Sequence, residues 1–306
     1  TQIISAHTIQ SSTTLQAIAD DTHHVLSFHP PQTDSSGRRR LNKVGINNAS
    51  TFEGFCSKHD NETFAPIEKK EIELSPQQCF LLLYRTTCHE YYQKKSILKS
   101  AEYMKRHIDK GLPIHHQYYA QKTLNTWRAG VKEGFREVAL EKAKLDEALL
   151  SDNFSGWNHL AFYCEGAPFY STAGSPTPNF DFSSNKIQNL EDPKSSIQPL
   201  HFSALTILGR QVVFFSWRIE HTAIDRFMDS LETLSGTRLP TVLVQLAFHF
   251  VENTYFSSSW WNSLSTDSQN HIESIATNGN PYADPIPHFP DVPTPLTFLS
   301  RERLVT

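Results

Sequence analysis

Apolar and polar positions alternate differently in successive parts of the chain. Short apolar runs at 22–28 and 41–46 predict two strands, interrupted by Pro30 and Pro31 and joined by the polar stretch 34–40. Ahead of them Leu15, Ile18 and Ala19 fall on one face of a short helix, with Ser11 and Ser12 as its cap candidates. Helix, hairpin and the following Cys/His turn read as a compact module that ends near Pro66.

Beyond it the period lengthens. Ser75-Pro76 starts a helix with proline at its first position, and Cys79, Leu82, Leu83, Cys88, Tyr91 and Tyr92 recur at near-helical spacing. Gly111 and Pro113 end that helix after Lys110. A second helix is expected over 118–150, with Leu124, Trp127, Val131, Phe135, Val138 and Leu145 as its apolar stripe. The two are expected to pair antiparallel. Strand-like runs follow at 160–164, 201–208 and 210–217, the last two joined by a tight turn at Leu208-Gly209-Arg210. Helices at 223–234 and 240–255 then lead to the aromatic cluster Phe256, Trp260 and Trp261 and a proline-rich tail. The resulting expectation is an α+β chain that is mainly helical. Its parts are a small module at 1–68, a helical pair at 69–152, a mixed domain at 153–280 and the tail at 281–306.

Composition narrows the class. At 306 residues and 38% hydrophobic the chain can bury a core without metal or disulfide staples. Four cysteines scattered at 56, 79, 88 and 164 do not make a disulfide framework and favour a reducing, cytoplasmic setting. No stretch approaches the length of a membrane span, and the N-terminal residues lack the layout of a signal peptide. The net charge of -4 gives no global basic field, so a nucleic-acid contact needs a local patch; Arg38, Arg39 and Arg40 are the candidate.

The sharpest local chemistry is Cys56-Ser57-Lys58-His59-Asp60. A cysteine and a histidine at this spacing can ligate one zinc ion from a single turn. A closed site needs a second pair, for which His23, His24 and His29 are the residues in view, the alternative being a pair ahead of Thr1. Cys79, Cys88 and His89 fall on the buried face of the first long helix and read as core. No phosphate-binding glycine loop, nucleophile elbow or dinucleotide fingerprint is present.

His7 with Ile9 two positions on, a hairpin, Asn47 and Asn48, and then the Cys56/His59/Asp60 turn at a helix start together resemble the ββα-metal module of HNH endonucleases. The resemblance covers residues 1–65. The chain is also similar to uncharacterised bacterial proteins in which a Cys-x-x-Cys pair precedes a Ser-Ala-His-like motif and an aromatic-rich domain follows. The resemblance implies His7 as the general base, Asn48 as the residue that orients it, and Asp60 as a ligand of magnesium or another divalent cation. It implies Cys56 and His59 as ligands of a structural zinc. The chain departs from the pattern at Ala6, where an acidic residue often stands, and in the distance from Asn48 to Cys56.

The function expected from this resemblance is metal-dependent hydrolysis of DNA or RNA phosphodiesters in a bacterial defence or mobile-element system. The rival expectation is a non-catalytic zinc-binding interaction protein, with a protein partner held by the aromatic-rich C-terminal part. A metal-free helical scaffold is the third.

Overall fold

Valine, isoleucine and phenylalanine in short runs, closed off by turn residues, build ten strands among the described residues of the computed structural model. Those residues are 2–33, 39–190, 192, 195–234, 238–277 and 290–304. In chain order the strands are β1 (Ile3–His7), β2 (His24–Thr33), β3 (Arg39–Gly45), β4 (Thr51–Cys56), β5 (Trp157–Glu165), β6 (Tyr170–Gly174), β7 (His201–Ile207), β8 (Arg210–Arg218), β9 (Thr254–Phe256) and β10 (Thr297–Leu304). The helices are α1 (Gln16–Ile18), α2 (Ser57–Thr63), α3 (Ala65–Glu68), α4 (Pro76–His107), α5 (Ile114–Leu150), α6 (Thr222–Glu232), α7 (Arg238–Phe250), α8 (Ser258–Ser263) and α9 (Thr266–Thr277).

Eight of the strands form one antiparallel sheet in the order β10-β5-β8-β7-β6-β9-β2-β3. This corrects the expectation of a mainly helical chain: among the described residues helix takes 47% and strand 25%, and the large sheet is the organising element. The reason is burial on both faces. In β5, β7 and β8 nearly every residue is buried, so these strands read as continuous apolar runs whose sheet partners the sequence does not announce. Nor are β2 and β3 confined to a small module, because Leu26 of β2 pairs with Phe256 of β9 and so enters the large sheet.

One face of the sheet carries Leu160, Phe162, Phe202, Val213 and Phe215, packed with Phe227 and Met228 of α6 and Leu243 of α7 in the main core. The opposite face carries Ala161, Leu205, Val212 and Phe214, packed with Ile72, Leu74 and Cys79. Trp260 and Trp261 belong to the main core at 5% and 8% exposure, so this aromatic pair is packing and presents no partner surface. The proline-rich segment is not a free tail where it is described, since β10 is an edge strand on β5.

Local chemistry accounts for the elements that position the site. Ser75 Oγ accepts from Gln78 N at 3.4 Å while Gln78 Oε1 accepts from Ser75 N at 3.3 Å, a reciprocal cap ahead of Pro76 that starts α4. Gly111, at a φ of +81°, turns the chain into α5. The two helices run antiparallel as expected: Tyr84 meets Asp146, Tyr91 meets Phe135, and Glu102 meets Arg128. Between β7 and β8, Leu208 and Gly209 both take positive φ, the two-residue turn whose twist suits a hairpin. No helix among the described residues is long and apolar enough to cross a membrane.

Candidate functional site

β1 and β4 form their own two-stranded antiparallel pair, with Ile3 opposite Cys56 and His7 opposite Thr51, and α2 follows β4 directly. The strand–strand–helix order is therefore assembled across an insertion that holds α1, β2 and β3. Ala6 and Phe52 seat this unit on Phe64, Phe80 and Tyr84. Phe52 also lies edge-on to His89 at 5.2 Å between ring centres. The unit is thereby fixed to the buried half of α4.

His7 closes β1. Its Nε2 lies 3.0 Å from the carbonyl oxygen of Ile46. A carbonyl only accepts, so Nε2 carries the proton and Nδ1 keeps its lone pair in the neutral ring. Asn48 stands in the same 46–50 turn, with an exposed side chain, and its backbone N–H donates to Gly45 O at 2.9 Å.

Cys56 is the last residue of β4 and the N-cap of α2, and His59 sits in the helix's first turn. Cys56 Sγ and His59 Nδ1 are 3.5 Å apart. Two corners of a zinc tetrahedron with ordinary Zn–S and Zn–N bonds would be about 3.6 Å apart. The donor set therefore fits half of a zinc site. Among the described residues no cluster of three or more His, Cys, Asp or Glu side chains completes it. Of the other histidines considered as ligands, His23 contacts Gln16 at 3.1 Å, His24 the Thr22 carbonyl at 2.6 Å and His29 the Glu252 carboxylate at 2.9 Å.

Asp60 is drawn elsewhere. Arg85 of α4, its side chain 3% exposed, places Nη2 3.9 Å from Asp60 Oδ1, bonds Glu68 through Nη1 and lies over the Phe64 ring at 4.2 Å. Burial raises the Asp60 pKa, Arg85 opposes that shift, Glu68 reinforces it, and His7 opposes it. His7 and Asp60 therefore share one electrostatic neighbourhood, although Asp60 Oδ1 has no hydrogen-bond partner among the described residues. Of the arginine run, Arg38 lies outside the described residues, Arg39 opens β3 opposite Thr33, and Arg40 is exposed opposite Gln32.

Sequence reasoning missed a second feature, a cleft of about 1110 Å³ between α4 and α5, the end of α7 and the sheet. Its floor includes Ser216 and His201, and His159 stands beside them: Ser216 is the register partner of both histidines, so the three side chains share one sheet face. None of the three has a hydrogen-bond partner for its side chain among the described residues. Burial pushes the His159 pKa down to about 4, and burial with His159 nearby pushes His201 down to about 3. Both rings are neutral near pH 7, and His201, which lines the cleft, has one donor and one acceptor nitrogen. On the cleft wall, Glu90 Oε1 accepts from Ser175 N at 3.4 Å and burial raises its pKa. In sequence these histidines stood inside apolar strand runs, and only the sheet register aligns them.

The chain matches no protein-family model, and neither a curated protein nor a solved structure matches it significantly.

Proposed function

We propose that this chain is a metal-dependent hydrolase of nucleic-acid phosphodiesters, with His7 as the general base. The observation that carries the reading is the His7–Ile46 contact at the end of β1, which leaves Nδ1 as the basic nitrogen of a ring held in one orientation. In the reaction Nδ1 takes a proton from water, the water oxygen bonds to phosphorus, and the bond from phosphorus to the leaving oxygen breaks. The proton held by His7 then returns to that oxygen or to solvent. Asn48, in the turn that supplies the orienting carbonyl, would fix the water or the ring.

Cys56 and His59 would hold a zinc ion that ties β4 to α2; its contribution there is structural. A hydrolytic cation such as magnesium would stabilise charge on the scissile phosphate. Asp60 would have to leave Arg85 to ligate it.

That engagement favours a second reading, in which the unit is a zinc-stapled binding element without catalysis. The two are separated by incubating the full chain, with magnesium or manganese, against end-labelled single-stranded and duplex DNA and RNA. The hydrolytic reading expects cleavage that a chelator abolishes and that His7→Ala lowers by about two orders of magnitude or more. Intact substrate with folded, zinc-loaded protein supports the binding element instead.

A further inference from the structure

The charge of the chain is distributed very unevenly. From Lys94 to Lys132 there are nine lysines and arginines and two acidic residues, Glu102 and Asp109, in a protein whose net charge is -4. This segment is the outer part of the α4/α5 hairpin. α4 is buried almost continuously from Gln78 to His89, but beyond that only Ala101 is buried, and α5 buries only Leu124 and Leu145. The two helices cover one another and leave their remaining faces to solvent, as an arm that leaves the body beside β4.

Aromatic side chains stand among these charges. Tyr103, Tyr118 and Tyr119 are 66%, 63% and 64% exposed, and Trp127 is 43% exposed. Tyr103 is stacked on His107 at 4.3 Å between ring centres, so their flat faces already form a platform. The three tyrosines expose most of their surface on a solvated helix pair, where their rings are open to a ligand. Of the cations, Arg128 is spent on Glu102. Lys99, Lys105, Arg106 and Lys122 are exposed, and no carboxylate lies within salt-bridge distance of them among the described residues. The arm is thus a basic patch of exposed cations without carboxylate partners among the described residues.

We infer that the outer α4/α5 arm is a binding surface for single-stranded nucleic acid. Unpaired lysines and arginines attract the phosphates, and exposed flat rings accept unpaired bases, a combination suited to a single strand and wasted on a duplex whose bases are already stacked. An acidic protein surface would use the charges and leave the aromatic faces without a role. Lys95 and Lys99 border a groove with Glu53, Gly54 and Phe55 of β4, so a strand held on the arm passes alongside the β1/β4/α2 unit. This inference deepens the nucleic-acid part of the function proposed above, and it is read by binding alone, without cleavage.

The test is fluorescence anisotropy of the full chain with a labelled single-stranded oligonucleotide, the matching duplex, and mixed phosphatidylcholine/phosphatidylserine vesicles, at about 50 and about 200 mM salt with chelator present. With about five phosphate contacts, single-strand affinity is expected to fall about a hundredfold across that salt range. Charge reversal at Lys99, Lys105, Arg106 and Lys122 to glutamate should abolish binding. Tyr103→Ala with Tyr118→Ala, Tyr119→Ala and Trp127→Ala should weaken the single strand about tenfold or more and the duplex little. The substituted side chains are exposed, so each variant should fold, and circular dichroism checks it. Absence of binding, binding that survives both sets of substitutions, preference for duplex, or preference for the vesicles would each overturn the inference. Binding without cleavage would leave it standing and remove only the hydrolytic reading.

Discussion

Cys56 Sγ and His59 Nδ1 face each other at 3.5 Å across the junction of β4 and α2, although one belongs to a strand and the other to a helix. The backbone turn alone brings them there, since Cys56 is the helix N-cap. A pair held at a zinc-like separation supplies two of the four ligands that a structural zinc site needs. Elemental analysis of purified full-length protein should find zinc at near one equivalent, and Cys56→Ala/His59→Ala should lose it. Zinc-free protein with intact fold would remove the metal from the account.

Arg85 predicts a stability effect at the same unit. It is 3% exposed, and it joins Asp60 of α2, Glu68 of α3 and the face of Phe64 to α4. Arg85→Ala strands two partly buried carboxylates and should cost about 3 kcal/mol in urea unfolding. Asp60→Asn relieves a carboxylate that burial disfavours and should cost less than about 1 kcal/mol. An Asp60→Asn cost as large as that of Arg85→Ala would show that Asp60, and not Glu68, is the partner that matters.

The buried histidines fix the sign of a pH dependence. His89, His159 and His201 are pushed down to about 4, about 4 and about 3 by burial. Each takes up a proton more readily in the unfolded chain, whose histidines titrate near pH 6.5, so their effect is to make stability fall as pH drops below that value. The loss grows by about 1.4 kcal/mol per pH unit for each histidine until the folded pKa is reached. Urea midpoints at pH 7, 6 and 5 should decline steeply, and His201→Phe should flatten the decline. A midpoint unchanged from pH 7 to 5 would contradict the burial of these rings.

Leu208 offers a gain. It holds φ at +50° with its side chain 77% exposed, at the first position of a turn that asparagine and glycine fill best. Leu208→Asn should stabilise by about 0.5 to 1 kcal/mol, read as a higher urea midpoint, whereas Gly209→Val should destabilise by more than about 1 kcal/mol. A loss in Leu208→Asn would mean that Leu208 makes contacts its exposure does not suggest.

These residues also show what the sequence could and could not reveal. The helix start at Ser75-Pro76, the turn at Gly111 and the hairpin at Leu208-Gly209 were legible because each is local chemistry: a cap, a left-handed residue, a two-residue turn. Burial of Cys79 and Cys88 followed from the helical period in the same way. The eight-stranded sheet was not legible, because it joins Leu26 to Phe256 and Cys164 to Phe298 across long stretches of chain, and β9 spans only three residues. The same limit hid the cleft and the His159–Ser216–His201 row beside it, which exists only through register. The basic arm was written in the sequence between Lys94 and Lys132 but was masked by an acidic total.

The central claim is that His7 acts as a base on a phosphodiester, and chemical rescue tests it most directly. In His7→Ala, added imidazole should restore a measurable part of the metal-dependent cleavage rate, in proportion to its concentration, because it supplies the nitrogen that Ile46 otherwise orients. Cleavage by His7→Ala at the unsubstituted rate, with no response to imidazole, would contradict the claim and leave a zinc-stapled protein whose chemistry lies elsewhere.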